Sequence, residues 1–374
     1  MPCLNEARTL ATCIAKARRC FDEMGVRGEV VVADNGSTDG SKEIARSEGA
    51  HLVDVPARGY GAALAAGILA ARGGIIVMAD ADDSYDWSAM RPFIEAVRGG
   101  ADLVMGNRFK GGIRPGAMSF THRYIGNPLL SLAARIAFRA PIGDFHCGMR
   151  AFSADAYRRM KVRTTGMEFA TEMVANAVLG GLKVTEVPIV LYPDGRDRPP
   201  HLRTFHDGWR HLRYIGTYAP DQLYLGPAVS ALIAGGLLMG VLVGGPVSIG
   251  SIYLGIHWLV LGSLLSLCGI TLLVFGALAK LTMLRSHPLM PSPFGRWLRD
   301  GFRVEQGLIA GLAMIGVGFA VLAAVVAGFI AAGGGPAEAS VHPTIVAATL
   351  VVAGVELCLG AFLLRLLAEE TTVE

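Results

Sequence analysis

Four long apolar runs fill the carboxyl-terminal part of the chain and constrain its fold more than any other feature. They cover residues 222–245, 250–278, 307–332 and 343–367. Each run is long enough to cross about 30 Å of hydrocarbon, which takes roughly 20 helical residues. We therefore predict an α-helical transmembrane domain over 222–374 with four spans, and a purely cytosolic protein is excluded.

Basic residues are concentrated in one connection between the predicted spans. The 279–306 connection contains Lys280, Arg285, Arg296, Arg299 and Arg303, whereas the other two connections carry at most one acid. Because positively charged loops stay on the cytoplasmic side, this connection is predicted to be cytoplasmic. Both chain termini then lie on the same side, in a multi-pass protein of the cell membrane.

Two features inside the spans suggest helix contacts. Gly236, Gly240 and Gly244 recur every four residues, and such a small stripe predicts close packing against another helix. Glu356 lies deep in the fourth run, where an acid is by default a functional candidate. A hydrogen bond to a neighbouring helix explains Glu356 equally well. The oligomeric state stays open, with a homo-oligomer among the alternatives.

The first 221 residues have the composition of a soluble domain, with 28 basic and 24 acidic residues. Apolar strand candidates at 29–34, 51–55 and 75–79 alternate with helical stretches, which predicts an α/β fold with a mostly parallel, doubly wound sheet. A net charge of +3 without a basic tract argues against a nucleic-acid partner.

The strongest chemical signal in this domain is the acidic sequence Asp80-Ala81-Asp82, directly after an apolar strand candidate. Carboxylates this close repel one another, and a divalent cation removes that repulsion. Mg²⁺ commonly takes one or two protein carboxylates and completes its shell with water and phosphate oxygens. The pattern therefore indicates a metal site at Asp80 and Asp82 that binds a diphosphate, although an acidic solvated turn would give the same local sequence.

A series of motifs runs through the soluble part: Pro2-Cys-Leu-Asn5-Glu6-Ala7, Val32-Ala-Asp34-Asn-Gly-Ser-Thr-Asp39-Gly, Gly59-Tyr-Gly61-Ala-Ala and Met78-Ala-Asp80-Ala-Asp82. In order and spacing it resembles the family-2 glycosyltransferases of GT-A fold. Further segments are Gly106-Asn-Arg108-Phe, Arg123-Tyr-Ile-Gly-Asn127, Gly143-Asp144-Phe-His-Cys147-Gly148-Met-Arg150 and Glu186-Val-Pro188. They resemble the polyprenyl-phosphate hexose synthases of the dolichyl-phosphate mannose synthase type.

This resemblance implies roles for individual residues. The positions that match the nucleotide-binding residues of the family are Pro2, Asn5, Glu6 and Asp34, followed by the diphosphate and metal positions Asp80 and Asp82 with Mg²⁺ or Mn²⁺. The candidate catalytic residues are Asp82, Arg108 and Arg123. The candidates for the acceptor phosphate are Arg123, Arg150, Arg198 and Arg203, because a guanidinium binds phosphate oxygens bidentately and stays charged.

The sequence departs from the family pattern in three places. Ser84 stands where many relatives have a further metal ligand, which leaves the third ligand undetermined. The Arg196–Arg203 loop carries positive charge but not the usual Arg and Ser-Lys residues of the family. Relatives also have an apolar strand before the Pro2 motif, and we expect a misassigned start or a shortened chain.

The segment before the first span is predicted to lie in the membrane interface. In 201–221, the residues Leu202, Phe205, Trp209 and Leu212 recur at helical spacing, opposite Arg203, His206, Arg210 and Arg213. A basic amphipathic helix with an aromatic apolar stripe is typical of the headgroup region. Pro128–Arg139 has a similar pattern. Both stretches would also suit ordinary surface helices packed on the domain.

Together these features predict a GT-A catalytic domain over 1–200, an interface helix over 201–221 and the transmembrane domain. The predicted activity is inverting, metal-dependent transfer of a hexose from a UDP- or GDP-sugar to a polyprenyl phosphate at the cytoplasmic face. One alternative is a transferase that acts on a hydroxyl of a glycolipid or polysaccharide. Another is a catalytically dead scaffold subunit of the membrane.

Overall fold

The computed structural model describes residues 1–196, 204–286, 292–333 and 338–370. The chain divides into two compact units, Met1–Tyr218 and Ala219–Glu374. We call them the amino-terminal unit and the carboxyl-terminal unit, and each is described by itself.

The amino-terminal unit contains two sheets. Their strands are β1 (Pro2–Cys3), β2 (Val31–Asp34), β3 (His51–Asp54), β4 (Ile75–Met78), β5 (Leu103–Asn107), β6 (Arg150–Ser153) and β7 (Val184–Pro188). The first sheet has the order β1-β2-β3 and is parallel. The second has the order β4-β6-β5-β7, and β6 runs antiparallel to β4 and β5. The expected parallel pattern is therefore interrupted by β6, because apolar periodicity indicates where a strand lies but not its direction.

Helices separate these strands along the chain. They are α1 (Leu10–Met24), α2 (Ser41–Ser47), α3 (Tyr60–Ala70), α4 (Arg91–Arg98), α5 (Arg108–Gly111), α6 (Asn127–Phe138), α7 (Ala154–Met160), α8 (Phe169–Leu179) and α9 (Thr204–Thr217). In α1 the buried residues Leu10, Cys13, Ile14, Ala17 and Cys20 recur at helical spacing. This stripe packs into the main core, which places the loop before α1 at the carboxyl ends of β1 and β2.

An apolar cavity of about 760 Å³ lies between the two sheets. Its walls include Met1, residues of β2 (Val31 and Ala33) and of β4 (Ile75 and Val77). Among the described residues, β1 pairs only with β2, and β4 pairs only with β6.

The carboxyl-terminal unit is built from long apolar helices. Its helices are α10 (Gly226–Leu242), α11 (Ile256–Ser286), α12 (Pro293–Arg296), α13 (Val304–Ala331) and α14 (Glu338–Glu370). In the described part of the chain, four helical segments are long and apolar enough to cross a membrane, namely Asp221–Leu242, Ile256–Arg285, Val304–Ala331 and Ser340–Glu369. A short hairpin of β8 (Val247–Ile249) and β9 (Ile252–Leu254) precedes α11. Gly250 lies in the turn of this hairpin, with φ 61°. Because the hairpin takes up the first residues of the apolar run 250–278, the helix of the second span begins only at Ile256.

Glycines allow the long helices to pack closely. A Cβ on Gly311 of α13 would lie 2.6 Å from the carbonyl oxygen of Gly354 of α14, and a Cβ on Gly235 of α10 would lie 2.6 Å from that of Gly262 of α11. Gly236, Gly240 and Gly244 have no neighbouring atom within 4 Å of such a Cβ. The prediction that this stripe packs against another helix was therefore wrong within the described chain. The face of α10 that packs against α11 is the neighbouring one, which carries Gly235.

Polar side chains also connect the long helices. Thr271 Oγ1 of α11 lies 3.0 Å from Glu356 Oε2 of α14, and Ser263 Oγ of α11 lies 2.7 Å from Thr349 Oγ1 of α14. Of the two explanations for Glu356, the structure supports the hydrogen bond to a neighbouring helix.

Candidate active site

Asp34 ends strand β2, and the turn that follows holds its side chain. Its Oδ2 accepts hydrogen bonds from the backbone N–H groups of Gly36 and Ser37, both at 3.0 Å, and lies 3.4 Å from Lys42 Nζ. Its Oδ1 is buried and has no hydrogen-bond partner among the described residues. Because buried polar atoms are nearly always paired, this oxygen is an acceptor available to a ligand with an N–H or O–H donor.

Asn5 joins the loop after β1 to the turn after β2. Its backbone adopts φ 57°, and its Oδ1 accepts a hydrogen bond from the backbone N–H of Thr38 at 2.8 Å. The Asn5 N–H donates to Ser37 Oγ at 2.8 Å. These loops border a cleft of about 370 Å³, lined by Asn5, Glu6, Ala7, Arg8, Thr9, Thr38, Asp39 and Arg196.

Of the predicted nucleotide residues, Asn5 and Glu6 thus line the cleft directly. Asp34 begins the turn that brings Thr38 to the same cleft. Pro2 lies within β1, opposite Ala33 of β2. The structure therefore gathers Asn5, Glu6 and Asp34 at the carboxyl ends of neighbouring parallel strands, where ligands bind in open α/β sheets, whereas Pro2 lines the apolar cavity.

The two predicted metal ligands follow β4 and are held differently. Asp80 Oδ1 accepts a hydrogen bond from the Tyr60 hydroxyl at 3.0 Å. Asp82 is only 5% exposed, and its Oδ1 accepts from both the backbone N–H and the hydroxyl of Ser84, at 3.1 and 2.6 Å. Ser84, which raised the question of the third ligand, therefore fixes Asp82 in this structure.

The acidity of Asp80 reflects its surroundings. Burial, followed by the charge of Asp82, raises the pKa of Asp80 to about 6, against the opposing effects of Tyr60 and Arg196. A nearby cation would reverse this effect, because it favours the ionised carboxylates. The hard oxygen donors of Asp80 and Asp82 therefore fit Mg²⁺ or Mn²⁺.

No cluster of three His, Cys, Asp or Glu side chains is arranged to hold a metal in the described parts of the chain. Among these residues a cation at Asp80 and Asp82 would find no third ligand of this kind, which leaves further positions of its coordination shell to other ligands. Water and phosphate oxygens supply them in sites where Mg²⁺ binds through one or two carboxylates.

The guanidinium of Arg196 lies between Glu6 and Asp82. Its Nη2 lies 2.7 Å from Glu6 Oε1, its Nε donates to both Glu6 oxygens, and its Nη1 lies 3.0 Å from Asp82 Oδ2. The Arg196 side chain is only 15% exposed. From the sequence, Arg196 is one of several arginines that could meet a phosphate, in a loop that departs from the family pattern; no local pattern indicates its contact with Glu6, 190 positions away.

Arg108 forms a buried bidentate ion pair with Asp144. Its Nε lies 2.7 Å from Asp144 Oδ2 and its Nη2 lies 2.8 Å from Oδ1, while its backbone N–H donates to the same carboxylate. The Asp144 side chain is fully buried, and the Arg108 side chain is 8% exposed. In this structure Arg108 therefore orders the segment that begins at Asp144, and its predicted catalytic contact with a phosphate stays a prediction.

Arg150 is fully buried and directs its guanidinium to the backbone. Its Nε, Nη1 and Nη2 donate to the carbonyl oxygens of Cys147, Ala170 and Phe145, at 2.9, 2.6 and 3.3 Å. This placement does not support the assignment of Arg150 to the acceptor phosphate, because all three nitrogens already bind carbonyl groups. The sequence motif indicated a positive charge at Arg150 but not that this side chain is buried.

The segment between Asp144 and Arg150 passes close to the aspartates that follow β4. A Cβ on Gly148 would lie 3.0 Å from Asp80 Oδ2, and the Gly148 N–H donates to the Tyr85 hydroxyl at 2.9 Å. This segment, which ends at the acceptor-phosphate candidate Arg150, therefore borders the candidate metal site.

Arg123 lies among exposed apolar side chains. It belongs to a π-helical turn, His122–Gly126, that leads into α6, and its guanidinium is 5.3 Å from the ring centre of Tyr124. The apolar side chains around this turn that are 54–72% exposed are Phe120, Tyr124, Ile125 and Leu129. A cation within such a surface is typical of a protein face that meets lipid headgroups.

Helix α9 has a face that packs on α8 and an exposed face. His211 Nδ1 lies 2.7 Å from Thr171 Oγ1, and Arg210 Nε lies 2.9 Å from Glu168 Oε2. Trp209 and Leu212 are 61% and 45% exposed. The exposed Trp209 and Leu212 agree with the predicted apolar stripe, but Arg210 is used in an ion pair of the fold. Arg198 and Arg203 lie outside the described residues.

Comparison with protein-family models identifies both units. Residues 1–161 match the model for glycosyl transferase family 2, and residues 277–368 match that for the glycosyltransferase family 2 C-terminal transmembrane region. The chain is similar over almost its whole length to the low-salt glycan biosynthesis hexosyltransferase Agl6 of Haloferax volcanii. The two are 36% identical over 372 residues, which cover 99% of this chain and 88% of that protein.

Two further relatives match part of the chain. A dolichyl-phosphate hexose transferase of H. volcanii is 31% identical over 186 residues, 50% of this chain and 78% of that protein. Among solved structures, glucosyl-3-phosphoglycerate synthase of Mycobacterium tuberculosis has a TM-score of 0.44 and 22% identity, over 58% of this chain and 76% of that one.

The two family models and the long apolar helices confirm the fold class predicted from the sequence: a GT-A domain precedes a domain of four membrane-spanning helices. The prediction of a membrane-bound glycosyltransferase is confirmed as well. From its motifs, its two units and its full-length relative, the chain belongs to glycosyltransferase family 2.

Proposed function

We propose that this glycosyltransferase transfers a hexose from a nucleoside-diphosphate sugar to a polyprenyl phosphate, with inversion and with a divalent cation, at the cytoplasmic face of the membrane. The observation that carries the proposal is the group of acids Glu6, Asp80 and Asp82: Glu6 and Asp82 are buried, and Glu6 lines an open cleft, on a unit that also exposes apolar side chains around Arg123. We call these three residues the acid cluster.

The cleft supports a nucleotide donor. Asp34 keeps one buried acceptor oxygen, which suits a donor group on a base or ribose. Asn5 and Glu6 line the cleft, and Thr38 of the turn after Asp34 lines it as well. A divalent cation bound at Asp80 and Asp82 would neutralise charge on the leaving diphosphate.

The acceptor is proposed to be a phosphate because no general base is required for it. A sugar hydroxyl would need a base within hydrogen-bond reach. A phosphate monoester has its second pKa at about 6 and is largely a dianion at pH 7. The enzyme then has to hold two anions together, the donor diphosphate and the acceptor phosphate. Among the described residues, our candidate for binding the acceptor phosphate is Arg123, which is half-buried beside Tyr124.

The exposed apolar side chains support an acceptor that arrives from the membrane. Phe120, Ile125 and Leu129 near Arg123, together with Trp209 and Leu212 on α9, would meet the interface in which the lipid phosphate lies. The names of two relatives agree with this choice, since one is a dolichyl-phosphate hexose transferase and another an undecaprenyl-phosphate 4-deoxy-4-formamido-L-arabinose transferase of Aeromonas hydrophila, 29% identical over 159 residues.

The orientation follows from the basic connection between α11 and α13. Lys280, Arg285, Arg296, Arg299 and Arg303 flank or occupy this connection. By the positive-inside rule it lies in the cytoplasm, where nucleotide sugars would reach the amino-terminal unit.

The test is to incubate membranes containing the full chain with labelled UDP- and GDP-hexoses and a polyprenyl phosphate. We expect a labelled lipid whose sugar is released by mild acid, as a sugar phosphate ester should be. A product stable to mild acid would instead indicate a hydroxyl acceptor. Failure to bind any of these nucleotide sugars in the presence of Mn²⁺ or Mg²⁺ would contradict the enzymatic proposal.

A further inference from the structure

Each oxygen of the Asp82 carboxylate already has a partner. Oδ1 accepts two hydrogen bonds from Ser84, at 3.1 and 2.6 Å. Oδ2 lies 3.0 Å from Arg196 Nη1. Oδ2, which has one partner, is therefore the oxygen that a divalent cation would use, and the cation and the guanidinium would compete for it because both are positively charged.

The backbone beside Arg196 is tied to the segment that carries the aspartates. The Gly195 N–H donates to the carbonyl oxygen of Asp82 at 2.9 Å, and the Tyr192 N–H donates to that of Ser84 at 3.0 Å. A Cβ on Gly195 would lie 2.6 Å from Thr9 Cγ2, so this approach suits a glycine. Arg196 therefore starts from an anchored position, and its side chain can leave Asp82 by rotation about its own bonds.

Charge balance explains why an arginine is found at this place. Glu6 and Asp82 are 4% and 5% exposed, and burying carboxylates without a counter-charge is costly. Arg196 binds both of them, and its positive charge also lowers the pKa of Asp80 against burial and the charge of Asp82. A guanidinium stays protonated at all working pH values, so this compensation does not depend on a proton.

We propose that Arg196 is the resident counter-ion of the acid cluster and a positioning residue for the donor. Without a cation its guanidinium holds Glu6 and Asp82 in place. When a divalent cation and a nucleoside diphosphate bind together, the guanidinium releases Asp82 Oδ2 and turns to the diphosphate oxygens. This inference rests on the proposed function, because it requires a cation and a diphosphate at this site.

Arg196→Gln should change the affinity for Mn²⁺ in opposite directions without and with nucleotide. In the absence of nucleotide, Arg196→Gln removes a competing positive charge, so Mn²⁺ alone should bind about tenfold more tightly than to the unsubstituted chain. With UDP or GDP present, the variant lacks a contact to the diphosphate, so the Mn²⁺–nucleotide complex should bind about tenfold more weakly. The readout is Mn²⁺ binding followed by electron paramagnetic resonance on the full chain in detergent.

Two further variants make the experiment specific. Arg196→Lys keeps the positive charge, but a lysine ammonium group cannot bind Glu6 and Asp82 at once as the planar guanidinium does. Both changes in Mn²⁺ affinity, without and with nucleotide, should therefore be smaller than those of Arg196→Gln. Arg158→Gln removes one positive charge from α7, where the side chain is 72% exposed, and should change neither affinity.

The possible results separate the two proposals. If Arg196→Gln weakens Mn²⁺ binding equally with and without nucleotide, or leaves both unchanged, the counter-ion role is wrong while the proposed function stands. If Arg196→Gln is misfolded by its melting curve, Arg196→Lys must show the same reversal of sign, or the inference fails. If the unsubstituted chain binds Mn²⁺ neither alone nor with UDP or GDP, the proposed function fails as well.

Discussion

In the amino-terminal unit, an aspartate near the candidate active site keeps bonding capacity that the described fold does not use, whereas several polar side chains on the helices of the carboxyl-terminal unit bind one another. Asp34 Oδ1 has no partner among the described residues, and burial raises the pKa of Asp80. In the other unit, Lys280 Nζ lies 2.6 Å from Asp221 Oδ1, and Glu356 contacts Thr271.

This difference separates chemistry from anchoring. Buried polar atoms without partners cost free energy, and they are retained where a ligand completes their bonding. Paired polar groups between helices, by contrast, hold a bundle together without leaving an acceptor or a charge for a substrate. We therefore expect sugar transfer to depend on the acids of the amino-terminal unit and the helix pairs to stabilise the carboxyl-terminal unit.

The sharpest test compares one acid from each unit. Asp82→Ala should lower sugar transfer by at least about 10³-fold, because the charge on the leaving diphosphate loses its stabilisation. Glu356→Gln keeps a side chain that can bind Thr271, so transfer should stay within about twofold of the unsubstituted enzyme. The assay is transfer of labelled hexose to polyprenyl phosphate at saturating donor. Equal losses in both variants would break the comparison.

A second prediction concerns the buried pair of Arg108 and Asp144. Arg108→Ala leaves a buried carboxylate without its partner and should destabilise the amino-terminal unit by about 3–5 kcal/mol. The double variant Arg108→Met with Asp144→Leu removes both charges and should recover most of the melting temperature of the full chain in detergent. If the recovered protein also transfers sugar normally, Arg108 has no catalytic role; if it is folded but inactive, the catalytic assignment is supported.

A third prediction tests whether glycine contacts stabilise the carboxyl-terminal unit. Gly311→Ala places a Cβ 2.5 Å from Cys358 Sγ and 2.6 Å from the Gly354 carbonyl oxygen, and should cost about 1–3 kcal/mol. Gly316→Ala, in the same helix with no atom within 4 Å of its Cβ, is the matched control and should not destabilise. The measurement is thermal unfolding in detergent. Similar melting temperatures for both variants would mean that this helix pair is not held by close packing.

The smallest expected effect concerns Asp80 and pH. Its pKa is about 6 in the folded chain against an ordinary value of 3.8, so between these pH values the folded state binds more protons than the unfolded state. Stability without divalent cations should therefore fall as pH rises from about 4 to 6. Asp80→Asn should remove this part of the pH dependence and raise the melting temperature at pH 7 by a few degrees, while weakening Mn²⁺ binding. A melting temperature that falls at pH 7 would show that the Asp80 carboxylate stabilises the fold.

Much of the architecture could be predicted because its signals are local. Long apolar runs indicated the four spans, and an apolar strand followed by Asp80-Ala81-Asp82 indicated the end of β4. The contacts of the arginines could not be predicted in the same way. Arg108, Arg123 and Arg150 all occur in motifs, yet one is paired with Asp144, one lies among exposed apolar side chains, and one binds carbonyl groups.

The helix contacts of the carboxyl-terminal unit show the same limit. The stripe of Gly236, Gly240 and Gly244 has the spacing of a packing face, but α10 turns the neighbouring Gly235 toward α11. A rotation of one residue position changes which stripe is buried, and sequence spacing alone does not fix that rotation.

The sequence by itself determined the apolar lengths, the placing of the acids after β4 and the separation of a charged unit from an apolar one, since each depends on neighbours along the chain. Tertiary structure alone decided that Arg196 meets Glu6 and Asp82, that Arg150 is buried, and that Asp34 keeps an unbonded oxygen. The reason is that burial and ion pairing depend on groups brought together by packing, and Glu6 and Arg196 are 190 positions apart in the chain.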